Sequence, residues 1–172
     1  MAHAKDLQTV FERTAQALSL KPAVGQGTDV TTVRLDDGTT CHIEDGPWTL
    51  TADVGEELGG HNAGPAPGVF GRAALGSCIA ITAALWAAKL GVPITALEVE
   101  VESDHDARGI FGVGDVAAGW SGLRYRATVE SPAPEADVRR VLEKAHRHSQ
   151  MRDSFGRPLA VEADVQVVAP TA

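Results

Sequence analysis

In AKDLQTVFERTAQALSL the positions Leu7, Val10, Phe11, Thr14, Ala17 and Leu18 recur every three or four residues, the spacing of an amphipathic helix, which Lys21-Pro22 ends. The period then changes. DVTTVRL and TTCHIE flank Asp36-Asp37-Gly38, a pattern that predicts a hairpin whose glycine supplies the positive φ of the turn. GPWTLTADV predicts a further short strand. GEELGGHNAGPAPG, dense in Gly and Pro, holds no regular ladder; it marks a junction between an N-terminal and a C-terminal half, and loops of this kind often line sites. From Gly68 to Leu90 apolar residues surround the helical wheel, which predicts a helix buried on nearly all sides. Small residues such as Ala73, Gly76, Ser77, Ala80 and Ala84 let another backbone approach it, as at a helix pair or subunit contact. Gly91 and Pro93 stop it.

Beyond this helix ALEVEVES, LRYRATVE and AVEADVQV alternate with period two, each reading as a strand with one buried face. Leu97, Val99 and Val101 point inward and Glu98, Glu100 and Glu102 outward; Leu123, Tyr125, Ala127 and Val129 likewise oppose Arg124, Arg126, Thr128 and Glu130. If the first two strands are neighbours, the Glu row meets the Arg pair across the ladder. Between the last two strands, PEADVRRVLEKAHRHS begins at Pro134 and carries the stripe Val138, Val141, Leu142 and Ala145, a second helix expected to lie on the sheet. The order helix, hairpin, buried helix, strand pair, helix, strand predicts an α+β domain with an antiparallel sheet. The expected division is an N-terminal helix over residues 1–22 and one domain over 23–172. Within it fall N-terminal strands at 28–52, the cysteine helix at 68–90, and strands with the second helix at 94–168.

Charge and cysteine content narrow the partners. The 172 residues hold 15 Lys and Arg against 23 Asp and Glu, and the net charge of −8 disfavours nucleic acid or anionic lipid. A small molecule is the better expectation. MAHAKDLQTVFERT lacks the apolar core of a signal peptide, and the uncharged run from Ala73 to Ala88 is shorter than the ~20 residues of a membrane span. A cytoplasmic protein without a membrane partner is therefore expected. Cys41 and Cys78 form no CxxC or metal-ligand spacing, so neither a disulfide framework nor a metal site nor a cofactor is expected.

A thiol reacts as its thiolate, and a free value near ~8.5 must be lowered by a cation, a metal or a helix N-terminus. Cys78 lies deep inside its helix, where the dipole helps little. Arg72 lies about 240° round the wheel from it and does not share its face. Free cysteine is also among the most buried residue types. The residues alone thus leave open whether Cys78 fills a core or faces a site, whereas Cys41, on a hairpin strand, reads as structural.

The run from Pro67 to Ala73-Ala74-Leu75-Gly76-Ser77-Cys78 resembles the core motif of the OsmC/Ohr superfamily. The Gly-rich LGGHNAGPAP before it, KLGVPITALEVEVESDHD after it and the AH of KAHRHSQM extend that resemblance over residues 28 to 168. The resemblance implies an OsmC-like α+β fold in which an antiparallel sheet wraps a long central helix, and an intertwined homodimer with two equivalent interface sites. It also implies cysteine-based reduction of organic hydroperoxides, a response to oxidative stress. In that family the thiolate attacks a peroxide oxygen, and the resulting sulfenic acid is resolved by a second cysteine as a disulfide. An Arg holds the thiolate and a Glu holds the Arg. Cys78 matches the attacking position; Ser149 stands at the resolving position, Gly68 and Val69 where the Glu is expected, and Leu58 near the place of the Arg.

Cations for Cys78 must then come from elsewhere, with His146, Arg147 and His148 at the end of the second helix as candidates and Arg152 and His61 behind them. His148 also reads as a helix-end cation favoured by the C-terminal dipole. Three functions are open. The leading one is a thiol peroxidase, weakened or working with one cysteine, in which an external thiol resolves the oxidised Cys78. The second is a hydrolase or acyl-transfer enzyme with Cys78 as nucleophile, His148 or His146 as base and Asp153 near in sequence. The third is a non-catalytic dimer that binds an apolar ligand at its interface. The catalytic candidates are Cys78, His148 and Ser149; His61, His146 and Arg152 are the binding candidates.

Overall fold

The structure, a computed structural model, describes residues 2–169, so the outermost residues of the predicted divisions lie outside it. Helical spacing in the first segment is realised as α1, Ala2–Leu20. Its Phe11 meets Trp86 edge-on at 5.2 Å between ring centroids, while Leu7, Val10 and Leu18 stay exposed. Three strands follow, β1 (Thr32–Leu35), β2 (Cys41–Asp45) and β3 (Trp48–Ala52), forming an antiparallel sheet in sequence order. Gly38 in the first turn has φ of 59°, the left-handed region that a side chain disfavours.

The loop after β3 leads into α2, Pro67–Leu90. Pro67 opens it, where the missing N–H has no helical partner to lose. Gly91 closes it in the left-handed conformation, donating its N–H to Ala87 and Ala88. This helix contacts α1 and every later element that builds the core. Leu75, Gly76, Ile79, Ala83 and Ala87 form its buried side. Burying a side chain the size of Ile79 stabilises by roughly 1.5–3 kcal/mol.

Burial all round the helix is not found in the single chain. Val69, Ala73, Ser77, Ile81 and Ala84 form a stripe open to solvent, with Ile81 62% exposed. Among the described residues α2 is the one helix long and apolar enough to cross a membrane by length and composition. Its packing against other elements makes it the central helix of the domain.

β4 (Ala96–Asp104) and β5 (Gly122–Glu130) pair antiparallel with Glu100 opposite Arg126 and Glu102 opposite Arg124, the expected register. Arg124 reaches Glu102 at 2.6 Å, and Arg126 lies 3.6 Å from Glu100. The connection holds a short helix, α3 (Ala107–Ile110), begun by the Asp106 carboxylate, which accepts the Arg108 N–H.

α4 (Glu135–His148) and α5 (Gln150–Phe155) complete the regular structure. The expected seat of α4 on the sheet is replaced by one on α2, because Val141 and Ala145 close against the small Ala83 and Ala87. Its end reaches β5 through His146 and Tyr125. The third period-two segment is not a strand. Residues 158–169 have no regular structure, and Val161 and Val167 are 93% and 94% exposed. A strand needs an edge to pair with, and among the described residues no edge takes this one.

Candidate functional site around Cys78

Ser149 is 1% exposed and sits between α4 and α5, ending one helix and capping the next. Its Oγ accepts the Arg152 N–H at 3.3 Å, the bond for which serine is favoured at this position. The cap turns the first residues of α5 towards the middle of α2, where Cys78 lies. Burial raises the Cys78 pKa. Against it, the Met151 N–H, the Ser149 hydroxyl, the Gln150 N–H and the Thr82 hydroxyl donate to Sγ, and together they hold the thiol below its ordinary value. Thr82 shares the face of Cys78 because it stands one turn further along α2. All these donors are uncharged.

The far end of α5 is fixed as well. Phe155 packs near Trp120, with ring centroids 6.2 Å apart, and Trp120 lies on α2 at Gly71, where a β-carbon would come within 2.7 Å of the ring. Glycine at that position therefore lets the indole sit against the helix and brace α5.

The remaining predicted partners are engaged elsewhere. His148 stacks on Trp86 with centroids 4.9 Å apart, and the Lys144 ammonium lies 5.3 Å above the same ring. Lys144 and His148 are one turn apart on α4 and share its face, which explains why both meet the indole. Trp86 is more than two turns beyond Cys78 along α2, so the expected role of His148 as a base for Cys78 is not what the structure places there. His146 Nδ1 lies 2.8 Å from the Tyr125 hydroxyl. Burial raises the Tyr125 pKa and the charge of Arg152 opposes it, and Arg152 joins the Ser149 cap through its backbone N–H. His61 belongs to the N-terminal half, with Nδ1 3.4 Å from Thr40 Oγ1 and Nε2 3.8 Å from Asp37. Arg72 donates to Ser103 Oγ at 3.2 Å, and Asp153 accepts from Arg157 at 2.8 Å.

Sequence reasoning missed two residues. Thr82 gave only the signal of its helical spacing from Cys78. Asp53, 1% exposed, accepts hydroxyls from Thr39 at 2.7 Å and Thr40 at 3.1 Å. It also accepts the N–H groups of Val54 at 2.8 Å, His61 at 2.9 Å and Ala63 at 3.1 Å. The Thr39 bond most of all, against the opposing effect of burial, holds its carboxyl far below the usual carboxylate range. Asp53 thereby ties the β1–β2 turn to the loop that enters α2. An aspartate at the head of a Gly-rich loop was the available signal.

On the opposite side of α2 from Cys78, a groove of about 380 Å³ is lined by residues that include Val69, Ala73, Ser77 and Val101. Groove and thiol are thus separate features. No group of His, Cys, Asp and Glu suited to a metal ion occurs among the described residues.

The sequence profile of the family described as OsmC-like protein matches residues 60–164, more than half of the chain, spanning α2, the β4–β5 pair, α4 and α5. The chain belongs to the OsmC-like family. The fold is shared with the OsmC-like protein from Mycoplasma pneumoniae at 15% identity and a TM-score of 0.66, over 76% of this chain and 89% of that one. It is shared too with an organic hydroperoxide resistance protein OsmC from Legionella pneumophila (15% identity, TM-score 0.57, 75% and 89% covered). A third similar structure is an organic hydroperoxide resistance protein from Elizabethkingia anophelis with crystallant-derived thiocyanate bound (15% identity, TM-score 0.55, 76% and 89% covered). No curated protein matches the chain in sequence.

Within this OsmC-like protein, Cys78 lies in the middle of α2, and Ser149 begins the short helix α5 that packs on α2.

Proposed function

We propose that the protein is a one-cysteine thiol peroxidase that reduces organic hydroperoxides, acting as a cytoplasmic homodimer. The observation that carries this is the free, half-buried thiol of Cys78 in the middle of α2, whose pKa burial raises and the neighbouring hydroxyls and N–H groups hold below its ordinary value. Two proteins that share the fold are named for organic hydroperoxide resistance. The thiolate Sγ attacks the terminal oxygen of ROOH; the S–O bond forms, the O–O bond breaks, and the alkoxide leaves and takes a proton to become ROH. Cys78 is left as a sulfenic acid. Ser149 cannot form a disulfide, and Cys41, the other cysteine of the chain, is on β2 in the other sheet. An external thiol therefore attacks the sulfenic sulfur and expels water. A second thiol equivalent then displaces Cys78 as thiolate and leaves oxidised as a disulfide.

Reduced thiols of this kind are a property of the cytoplasm. The exposed apolar stripe of α2 and the unpaired, valine-rich tail support a second copy of the chain as partner. A hydrolase is less well supported, because His148 and His146 are occupied by Trp86 and Tyr125.

The test is consumption of cumene hydroperoxide by purified protein with excess dithiol, comparing wild type with Cys78→Ser. Turnover that disappears in the variant supports the proposal. No turnover in the folded wild type overturns it.

A further inference from the structure

We propose that the three-stranded sheet β1–β3 is an exchange arm: its apolar face covers the bare stripe of α2 on a second copy of the chain, whose sheet covers the stripe of the first in return. This rests on the homodimer part of the reading above and not on the peroxidase part. Strand register sets Val33, Ile43 and Leu50 side by side, with Leu35, Cys41 and Ala52 in the next row of the same face. The opposite face carries Arg34, His42, Glu44 and Thr51, so the sheet has the two-sided character of one that packs on a core. Yet none of its strands packs on a helix of its own chain, and Val33, Leu35 and Leu50 are exposed. Trp48, on the same face, is 70% exposed. Asp45, the one charged residue on this face of the strands, sits at the turn end and accepts the Thr31 hydroxyl. A bare apolar face of this kind marks an interaction surface.

Two observations name its occupant. The first is the other bare surface of the chain, the stripe from Val69 to Ala84 on α2, which carries no charge either. Its small Ala73, Ser77 and Ala84 make it flat enough to lie on a pleated sheet, and the core of an interface is where charged residues are scarce. The second is that the two surfaces are held apart within one chain. Asp53 accepts from both threonines of the β1–β2 turn and from the N–H groups of His61 and Ala63 in the loop. Its own N–H donates to the Pro65 carbonyl at 3.4 Å, and at Gly64 a β-carbon would come within 2.3 Å of the Thr51 carbonyl oxygen. These contacts fix the sheet at the entrance to α2 instead of along its side, so folding it onto its own helix would break them. A second copy makes the same match with the loop intact, and a two-fold axis supplies that match twice.

Complementation between two variants tests the pairing. Leu50→Glu spoils the arm and Ile81→Lys the stripe; both side chains are exposed in the single chain, so neither change opens its core. Light scattering after size exclusion reads the mass of wild type, of each variant and of their equimolar mixture. Wild type is expected at twice the chain mass and each variant at the chain mass, because its homodimer would bury an unpaired charge at both contacts. The mixture is expected to return to twice the chain mass: in the heterodimer one contact is wholly wild type and the other sets a carboxylate against an ammonium. A monomeric wild type, a Leu50→Glu protein that stays dimeric, or a mixture that stays monomeric overturns the proposal. The second of these outcomes would show α2 closing on another surface without the arm. Val33→Glu and Val69→Lys repeat the experiment if either first variant loses the far-UV spectrum of the folded chain. Hydroperoxide consumption is measured on the same wild-type sample. A dimer without turnover sinks the peroxidase reading and leaves the arm, whereas a monomer with turnover sinks the arm and the homodimer and leaves the peroxidase.

Discussion

Asp53 and Cys78 are two acceptors ringed by the same kinds of donor, a pair of hydroxyls and a set of backbone N–H groups. Thr39 and Thr40 serve the carboxylate; Ser149 and Thr82 serve the thiol. Neither acceptor depends on a cation among its strongest interactions, and in both cases burial pushes the pKa up while the donors pull it down further. The difference lies in what each acceptor was before it was surrounded. A carboxylate is already ionised at neutral pH, so lowering its pKa only fixes a charge in place and the loop with it. A thiol titrates near ~8.5, so the same shift changes how much nucleophile is present at pH 7. Exposure follows the roles: Asp53 is sealed, whereas Cys78 is half-buried and can be reached.

The comparison breaks most sharply if the two readouts are exchanged. Cys78→Ser is expected to reduce hydroperoxide consumption to the uncatalysed rate, the largest effect on activity, with little change in thermal midpoint, because serine fits the space. Asp53→Asn is expected to do the opposite. An amide presents an N–H₂ group where the loop offers only donors, so buried N–H groups lose their acceptor and the thermal midpoint falls. The alkylation midpoint of Cys78 stays where it was.

The acid behaviour of the two variants carries a definite sign. The Asp53 pKa is depressed in the folded state, so its contribution is present in full above the unfolded carboxylate value of about 3.9 and is lost as pH falls through the folded value. The stability gap between wild type and Asp53→Asn is therefore widest at neutral pH and narrows in acid. Thermal melts over that range check it; a gap that widens on acidification would remove the charge from the explanation. A smaller effect calibrates the site on Cys78. Ile79→Val, at the neighbouring and 1% exposed position, is expected to cost about 0.5–1.5 kcal/mol in denaturant unfolding without moving the alkylation midpoint. If it moves the pH midpoint of Cys78 alkylation by iodoacetamide, general loosening rather than donation sets the reactivity of Cys78.

Much of this frame was legible before any coordinates. Period 3.6 located α1 and α4 and period two the β4–β5 pair, while turn residues located the hairpin and a continuous apolar run located α2. Three packing expectations failed where the pattern reports burial but not what provides it, the first being the seat of α4, which lies on α2 instead of the sheet. AVEADVQV alternates like a strand yet finds no edge within its own chain, and α2 is apolar all round yet has one side bare. At the candidate site, Cys78 and Ser149 were singled out through a resemblance in spacing. Thr82 and Asp53 were missed since a hydroxyl or carboxylate that serves by hydrogen bonding leaves no periodic trace. His148 was misplaced for a different reason: nearness in sequence to Ser149 says nothing about which way a helix-end ring points, and the face it shares with Lys144 carries it to Trp86.

The outer face of the β4–β5 sheet supplies the smallest effect and the last comparison. There Arg126 and Glu100 carry full opposite charges 3.6 Å apart, but their side chains are 76% and 57% exposed. Water and salt screen such a pair, and ordering two long side chains offsets most of what remains, so Arg126→Ala is expected to change stability by only about 0.2–1 kcal/mol and less in high salt. Urea unfolding at low and high ionic strength measures both. If this exposed ion pair proves to stabilise as much as the Ile79 packing, formal charge would matter more in this protein than enclosure, and the account of Asp53 and Cys78 as acceptors served by uncharged donors would lose its premise. If the effect is small and salt-sensitive, the ordering stands on physical grounds: a neutral hydroxyl fixed against a buried acceptor outweighs a cation free to move in water.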